Sequence, residues 1–313
     1  MRVGAIDCGT NSIRLLVADI DGAGRLTDLV REMEVVRLGY GVDRTGLIDP
    51  AAMERALTAC RRYAATCREL GVEATRFVAT SASRDARNAA EFVAGVEEAF
   101  AGLGVSPEVV SGDEEATLSF TGATGDLVAM GAPGPYLVVD LGGGSTEIVR
   151  GTTTVEAGVS LDIGSVRFSE RHLGIDPPTP AEIHAAIADI TAALDGAERV
   201  VNLRGIGTIV GLAGSITTVT AHLLGLTAYD STAIHLVTAT RQAHVDAASD
   251  LLHRTKAERA ALGFMHPGRV DVIGAGALVW RELLIRVGDR SPGAGVVTSE
   301  HDILDGIALS IAR

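Results

Sequence analysis

The chain has 313 residues, 47% of them hydrophobic and 21% charged, which is enough apolar material for a sizeable core and suits two domains better than one. No stretch approaches the roughly 18 uninterrupted apolar residues of a membrane span. The N-terminal MRVGAID lacks the apolar region and cleavage site of a secretory signal, so a cytoplasmic protein without a membrane partner is expected. The formal charge is −13 and Lys256 is the only lysine. That balance argues against nucleic-acid binding, which rests on phosphate neutralisation, and requires any phosphate site to be locally arginine-rich or metal-loaded.

The first third alternates short strands and helices. VGAID (3–7), IRLLVADI (13–20) and LVREMEVVRL (29–38) read as strands, the first two joined by a tight CGTNS turn. Asp49-Pro50 is an N-cap followed by proline at the first helical position. The helix it opens (51–70) carries Met53, Leu57, Cys60, Ala64, Cys67 and Leu70 on one face and stops at Gly71. Cys60 and Cys67 lie about 10.5 Å apart along that helix, beyond the roughly 7 Å that a disulfide tolerates. Both read as small core residues, and Cys8 as packing in the first turn. Strand 75–80, a helix over 89–101, strand 107–111 and a short helix from 112 complete a βββαβαβα unit.

After the linker GAPGP (131–135) the pattern begins again with strands YLVVDL (136–141), STEIVR (145–150) and TTVEAGVSL (153–161). Elements follow over 165–173, 180–195, 205–212, 215–224, 240–254 and 270–288, then strand GVVTS and a helix over 301–312. The starts AIDCGTNSIRLLV (5–17) and VVDLGGGSTEIVR (138–150) share an apolar strand, Asp-x-Gly, a small polar turn and a returning strand. A repeat of about 133 residues, from Asp7 to Asp140, is too long for a solenoid unit. It indicates duplicated domains, 1–124 and 125–313, with a ligand cleft between them and the last helix (301–313) packing back on the first.

Each Asp-x-Gly turn places a carboxylate beside backbone N–H groups that small residues leave uncovered, a nest suited to phosphate oxygens. Facing one another, Asp7 and Asp140 repel unless a cation intervenes. Mg²⁺ (or Mn²⁺) suits that role, because it takes few carboxylates and keeps waters and phosphate oxygens. Glu147 on the returning strand adds a further acid.

These turns resemble the phosphate loops of the actin, sugar kinase and acetate kinase superfamily, with its duplicated ribonuclease H-like α/β domains. The ensemble is more closely similar to the exopolyphosphatase / guanosine pentaphosphate phosphohydrolase family. The match is carried by AIDCGTNSIRLLV (5–17), VATSASRDARNAAEF (78–92), VSGDEEA (110–116), VVDLGGGSTEIV (138–149) and GLAGSITTVTA (211–221), extended by VDVIGAGALVW (270–280) and VTSEHDILDGIAL (297–309). The resemblance implies phosphate contacts from Thr10, Asn11 and Ser12, and from Gly142, Gly143, Gly144, Ser145 and Thr146. It implies a metal site at Asp7, Asp140 and Glu147, with Arg84 meeting the substrate phosphate and Glu115 activating the attacking water. Gly214 and Ser215 match a third glycine-rich loop, and a homodimer is common in relatives.

The residues support this independently at one point. Ser111 and Glu114 have capping-box spacing, which gives Glu114 a structural task and leaves Glu115, one step round, to face the cleft as a general base. Read alone, Arg84 is a solvated loop arginine and Glu115 a surface acid. His301 reads as the start of the last helix, and no histidine is given a role. The substrate is expected to be inorganic polyphosphate. Guanosine pentaphosphate presents the same terminal phosphoanhydride, and a phosphotransferase or a polyphosphate-binding regulator of the wider superfamily is the reading from another class.

Overall fold

A computed structural model describes residues 1–312. They divide into two compact units, Met1–Gly122 with the segment from Ile303, and Ala123–Asp302. Each unit is built on one sheet whose first three strands form an antiparallel meander.

In the first unit β1 (Arg2–Cys8), β2 (Ser12–Ile20) and β3 (Leu26–Val35) precede α1 (Val42–Thr45) and α2 (Pro50–Glu69). Then come β4 (Ala74–Ala79), α3 (Ser81–Asp85), α4 (Ala89–Ala99), β5 (Glu108–Val109) and α5 (Gly112–Ala129). The sheet order is β3-β2-β1-β4-β5, with β4 parallel to β1 and β5 parallel to β4. One face packs Ile6, Ile13 and Leu15 against Ala56, Cys60 and Tyr63 of α2 and Phe92 and Val96 of α4. The other packs Val3, Ala5, Leu16 and Val78 against Leu118 of α5 and Ile303, Leu304 and Ile307 of α13 (Ile303–Ile311). A Cβ on Gly306 would stand 2.0 Å from the Leu118 carbonyl oxygen, so glycine is what lets α13 approach α5 this closely.

The second unit repeats the plan. β6 (Tyr136–Leu141), β7 (Thr146–Gly151) and β8 (Val155–Leu161) are followed by α6 (Ser165–His172), α7 (Pro180–Ala197), β9 (Thr208–Leu212) and α8 (Ala213–Leu223). Next are α9 (Ser231–Ile234), β10 (Val237–Ala239), α10 (Arg241–His253), α11 (Lys256–Ala260), a 3₁₀ turn at Pro267–Arg269, α12 (Ile273–Arg290) and β11 (Gly295–Thr298). The order β10-β11-β9-β6-β7-β8 places β9 parallel to β6 and β11 parallel to β9, just as β4 and β5 follow β1. The core joins Leu137, Val139 and Ile209 of the sheet to Phe168, Ile190, Ile216, Leu251 and Trp280 of the covering helices.

Several elements differ from the sequence reading. β3 ends at Val35 rather than 38, because the backbone N–H groups of Val36 and Arg37 leave the ladder to donate to the Asn11 carbonyl. The helix from Gly112 is 18 residues long rather than short, and the boundary at 122/123 falls inside it. The GAPGP segment instead packs on the second unit, where Gly207 N–H donates to Pro135 O at 2.9 Å. On α2 the buried stripe is Ala52, Ala56, Ala59, Cys60, Tyr63, Ala64 and Cys67, with Met53, Leu57 and Leu70 at its margin. Cys8 closes β1 instead of lying in the turn. All three thiols are free and buried, and burial pushes Cys60 up to about 12 and Cys67 up to about 11.

Candidate active site

The two Asp-x-Gly turns have one backbone design. Gly9 N–H donates to Ser12 O at 2.9 Å in the first, and Gly142 N–H to Ser145 O at 3.0 Å in the second. Both turns are strapped by the segment that follows the third strand. Gly39 N–H donates to Thr10 O, and a Cβ on Gly39 would stand 2.4 Å from Thr10 Cγ2. In the second unit Ser165, Val166 and Arg167 N–H groups donate to the Gly142 and Gly143 carbonyls at 2.8–3.1 Å, and a Cβ on Gly164 would stand 2.4 Å from the Gly143 carbonyl. Close approach to each turn therefore depends on glycine, Gly39 against Thr10 in the first and Gly164 against Gly143 in the second.

The register makes the side chains of the turns differ. Asp7 pairs across the strands with Arg14, and Asp140 pairs at the matching position with Glu147; directly opposed residues share a face. Arg14 Nε and Nη2 donate to Asp7 Oδ2 at 2.9 and 2.6 Å, so the first turn carries a fixed ion pair. In the second turn two carboxylates, 6% and 1% exposed, stand side by side, with Ser160 donating to Glu147 Oε1 at 2.6 Å. Carboxylate oxygens placed side by side match the hard donor set of Mg²⁺. A cation at Asp7 competes with an arginine already in place.

At the carboxyl ends of β4 and β5 the first unit adds a second group. Arg84, in the last turn of α3, donates from Nη1 to Val110 O at 3.0 Å and to Glu115 Oε2 at 3.1 Å. Glu115 is 8% exposed whereas Glu114 lies outside. The Ser111 hydroxyl accepts from Glu114 N–H at 3.2 Å, as the capping-box spacing predicts. The Glu114 carboxylate, however, pairs with Arg76 at 2.5 Å instead of closing the box, because a charge-assisted bond outcompetes one to a neutral backbone donor. Thr10 and Ser81 hydroxyls are 2.8 Å apart, linking the first turn to α3. Among the described residues, the Asn11 Oδ1 and Ser83 hydroxyl are buried without a partner, two groups in these same segments able to take a ligand.

The other expected phosphate residues are placed as follows. Ser12 opens β2, and Ser145 lies 2% exposed in the second turn. Thr146 alternates to the opposite face and spends its hydroxyl on Ile163 O at 3.0 Å. Gly214 and Ser215 lie in the first turn of α8, beside Asp140 at the end of the adjacent parallel strand, with Ala213 in the left-handed region at φ 66°. A Cβ on Gly214 would stand 2.3 Å from the Arg269 guanidinium, which covers this loop and donates to Thr218 Oγ1 at 3.3 Å. Sequence reasoning missed Arg14, although its seven-residue offset from Asp7 equals that of Glu147 from Asp140. It also missed Ser83 and Arg269, and a cluster of Asp126, His235 and His301 whose members are too far apart in the chain to signal one another.

Two three-strand meanders, each with an Asp-x-Gly turn between its first and second strands, define a two-sheet α/β protein built on a repeated plan. The chain belongs to the Ppx/GppA phosphatase family, whose profile matches residues 16–309. It is 48% identical to Exopolyphosphatase 2 of Mycobacterium tuberculosis, over 99% of this chain and 98% of that protein. Among solved structures it is similar to an exopolyphosphatase-like protein, at 43% identity and TM-score 0.95 over 100% of this chain and 99% of the other. A Ppx/GppA family member from Aquifex aeolicus matches at 28% identity and TM-score 0.81 over 100% and 97%.

Proposed function

We infer that this chain is an exopolyphosphatase that hydrolyses the terminal phosphoanhydride of inorganic polyphosphate and releases orthophosphate. Full-length similarity to Exopolyphosphatase 2 supports the activity. Within the chain, the observation that carries the mechanism is the buried Glu115 carboxylate held 3.1 Å from Arg84. Water attacks the terminal phosphorus, Glu115 accepts its proton, the bridging P–O bond breaks, and the shortened chain leaves with the bridging oxygen. Arg84 offsets the charge on the transferring phosphoryl oxygens. The backbone N–H groups of the Thr10–Ser12 and Gly142–Ser145 turns cradle phosphate oxygens, and rigid strapping keeps them in place without reorganisation at the moment of reaction. Asp140 and Glu147 would hold Mg²⁺ or Mn²⁺, which supplies charge neutralisation to a polyanion entering an acidic protein. Asp7 then serves chiefly to fix Arg14.

No described helix is long and apolar enough to cross a membrane; three free thiols suit the reducing cytoplasm in which we place the protein, and we propose a homodimer. Phosphate release from polyphosphate of several lengths, guanosine pentaphosphate and ATP, assayed side by side, tests the reading. The expected order puts polyphosphate first; faster release from guanosine pentaphosphate would reassign the substrate, and release from none would remove the activity.

A further inference from the structure

The second unit contains a cluster that the reaction above does not use. Asp126 lies near the end of α5, His235 follows α9, and His301 sits between β11 and α13, which starts only at Ile303. His301 Nδ1 is 2.6 Å from Asp126 Oδ2, and His235 Nε2 is 3.5 Å from the same oxygen. The two imidazole centroids are 4.4 Å apart, and one donor atom from each of the three residues lies within 4.8 Å of the others. Hydrogen bonds from His235 and His301 hold the Asp126 carboxyl well below the usual carboxylate range.

We propose that Asp126, His235 and His301 form a second cation site, separate from Asp140 and Glu147, for a first-row transition ion of the zinc class. Two imidazole nitrogens and one carboxylate oxygen are a borderline donor set that suits zinc, whereas Mg²⁺ prefers an all-oxygen shell. Bonds of about 2.0–2.2 Å to a tetrahedral ion put ligand atoms about 3.3–3.6 Å apart. The 3.5 Å separation already fits, and the 2.6 Å one opens by under about 1 Å, leaving the fourth position to water. On loading, the nitrogen that faces Asp126 gives up its proton, and a ring proton is carried on the other nitrogen of each imidazole. At His235 this gives up the bond in which Glu300 N–H donates to Nδ1, at 3.2 Å the longest backbone contact of the cluster.

The place of the cluster sets its role. The second unit begins at Ala123 and ends at Asp302; Asp126 and His301 lie just inside those two ends. A bound ion fastens the entering and leaving segments of this unit to the loop after α9, and so acts on stability rather than on turnover.

The test uses the full-length protein, stripped with chelator and titrated with zinc by calorimetry, together with thermal melts and the visible spectrum of the Co²⁺ form. Wild type and Glu147→Gln are expected to take one zinc per chain and to melt higher when loaded. The double variant His235→Gln/His301→Gln should bind at least tenfold more weakly and lose the shift. His301→Gln alone gives the same comparison if the double variant does not fold. Zinc uptake equal in wild type and the histidine variants, or no uptake, overturns the proposal. So does a melting temperature that follows pH through these histidines but not zinc, which would make the cluster a proton-sharing one. The readout is binding without substrate, so it stands or falls independently of the hydrolytic activity.

Discussion

Glu115→Gln is the substitution for which the structure gives the sharpest expectation. Glutamine has the same shape, so Arg84 keeps an acceptor there and its bond to Val110 O at 3.0 Å. What is removed is one negative charge and the capacity to take a proton. The Arg84 side chain is 28% exposed, so solvent screens the lost ion pair and the effect on stability is about 1 kcal/mol or less. General-base catalysis contributes a factor of roughly 10² to 10⁴, equivalent to about 3–5 kcal/mol of activation free energy. The rate effect therefore exceeds the stability effect several-fold. Initial rates of orthophosphate release should fall by that factor, with a melting temperature changed by only a few degrees at most (~4 °C for ~1 kcal/mol). Affinity for polyphosphate, measured by calorimetry, should be kept or improved, since a charge that repels a polyanion is gone. Glu114→Gln should stay within about twofold, because that side chain faces Arg76. A variant Glu115→Gln with near-normal kcat, or a Glu114→Gln variant that is inactive while Glu115→Gln is not, refutes the assignment.

Three further outcomes follow from the same geometry. Activity should need Mg²⁺ or Mn²⁺, and Glu147→Gln should raise the concentration for half-maximal activity at least tenfold, with Mn²⁺ calorimetry showing the same loss; full turnover in excess chelator would count against the metal. Gly164→Ala places a methyl group 2.4 Å from the Gly143 carbonyl, an overpacking expected to cost about 1–3 kcal/mol and to weaken phosphate release; an unchanged melt would mean that the strap yields freely. Burial lowers the buried His244 to about 4, so the folded protein keeps it neutral while the unfolded chain protonates near 6.5. Stability is then complete above about pH 6.5 and declines as pH falls towards 4, by about 3 kcal/mol from this group, and His244→Gln should flatten that part of the melting profile.

The duplication was readable because strand pairing has period two: an apolar strand, a turn and a returning strand leave a pattern that survives in both copies. The same register contains the asymmetry between Arg14 and Glu147, visible in the aligned repeats yet meaningless until Asp7 and Asp140 are known to face them across the strands. Glu115 could be separated from Glu114 by helical position, but not Glu114 from Arg76, since that partner comes from a strand 38 residues away. Thr146 illustrates a different limit. Its place in the motif suggests phosphate, while strand alternation turns the hydroxyl to Ile163 O. The straps at Gly39 and Gly164 depend on non-local close approach, which no local pattern announces. The Asp126, His235 and His301 cluster draws on three segments spread over 175 residues, beyond any spacing rule.

Hydrolysis of polyphosphate in ¹⁸O-labelled water, with mass spectrometry of the products, addresses the central claim most directly. Attack by a Glu115-activated water on the terminal phosphorus puts one solvent oxygen into every orthophosphate released and none into the shortened chain. Unlabelled orthophosphate, or label at the new chain end, would contradict terminal water attack and with it the mechanism assigned to Glu115 and Arg84.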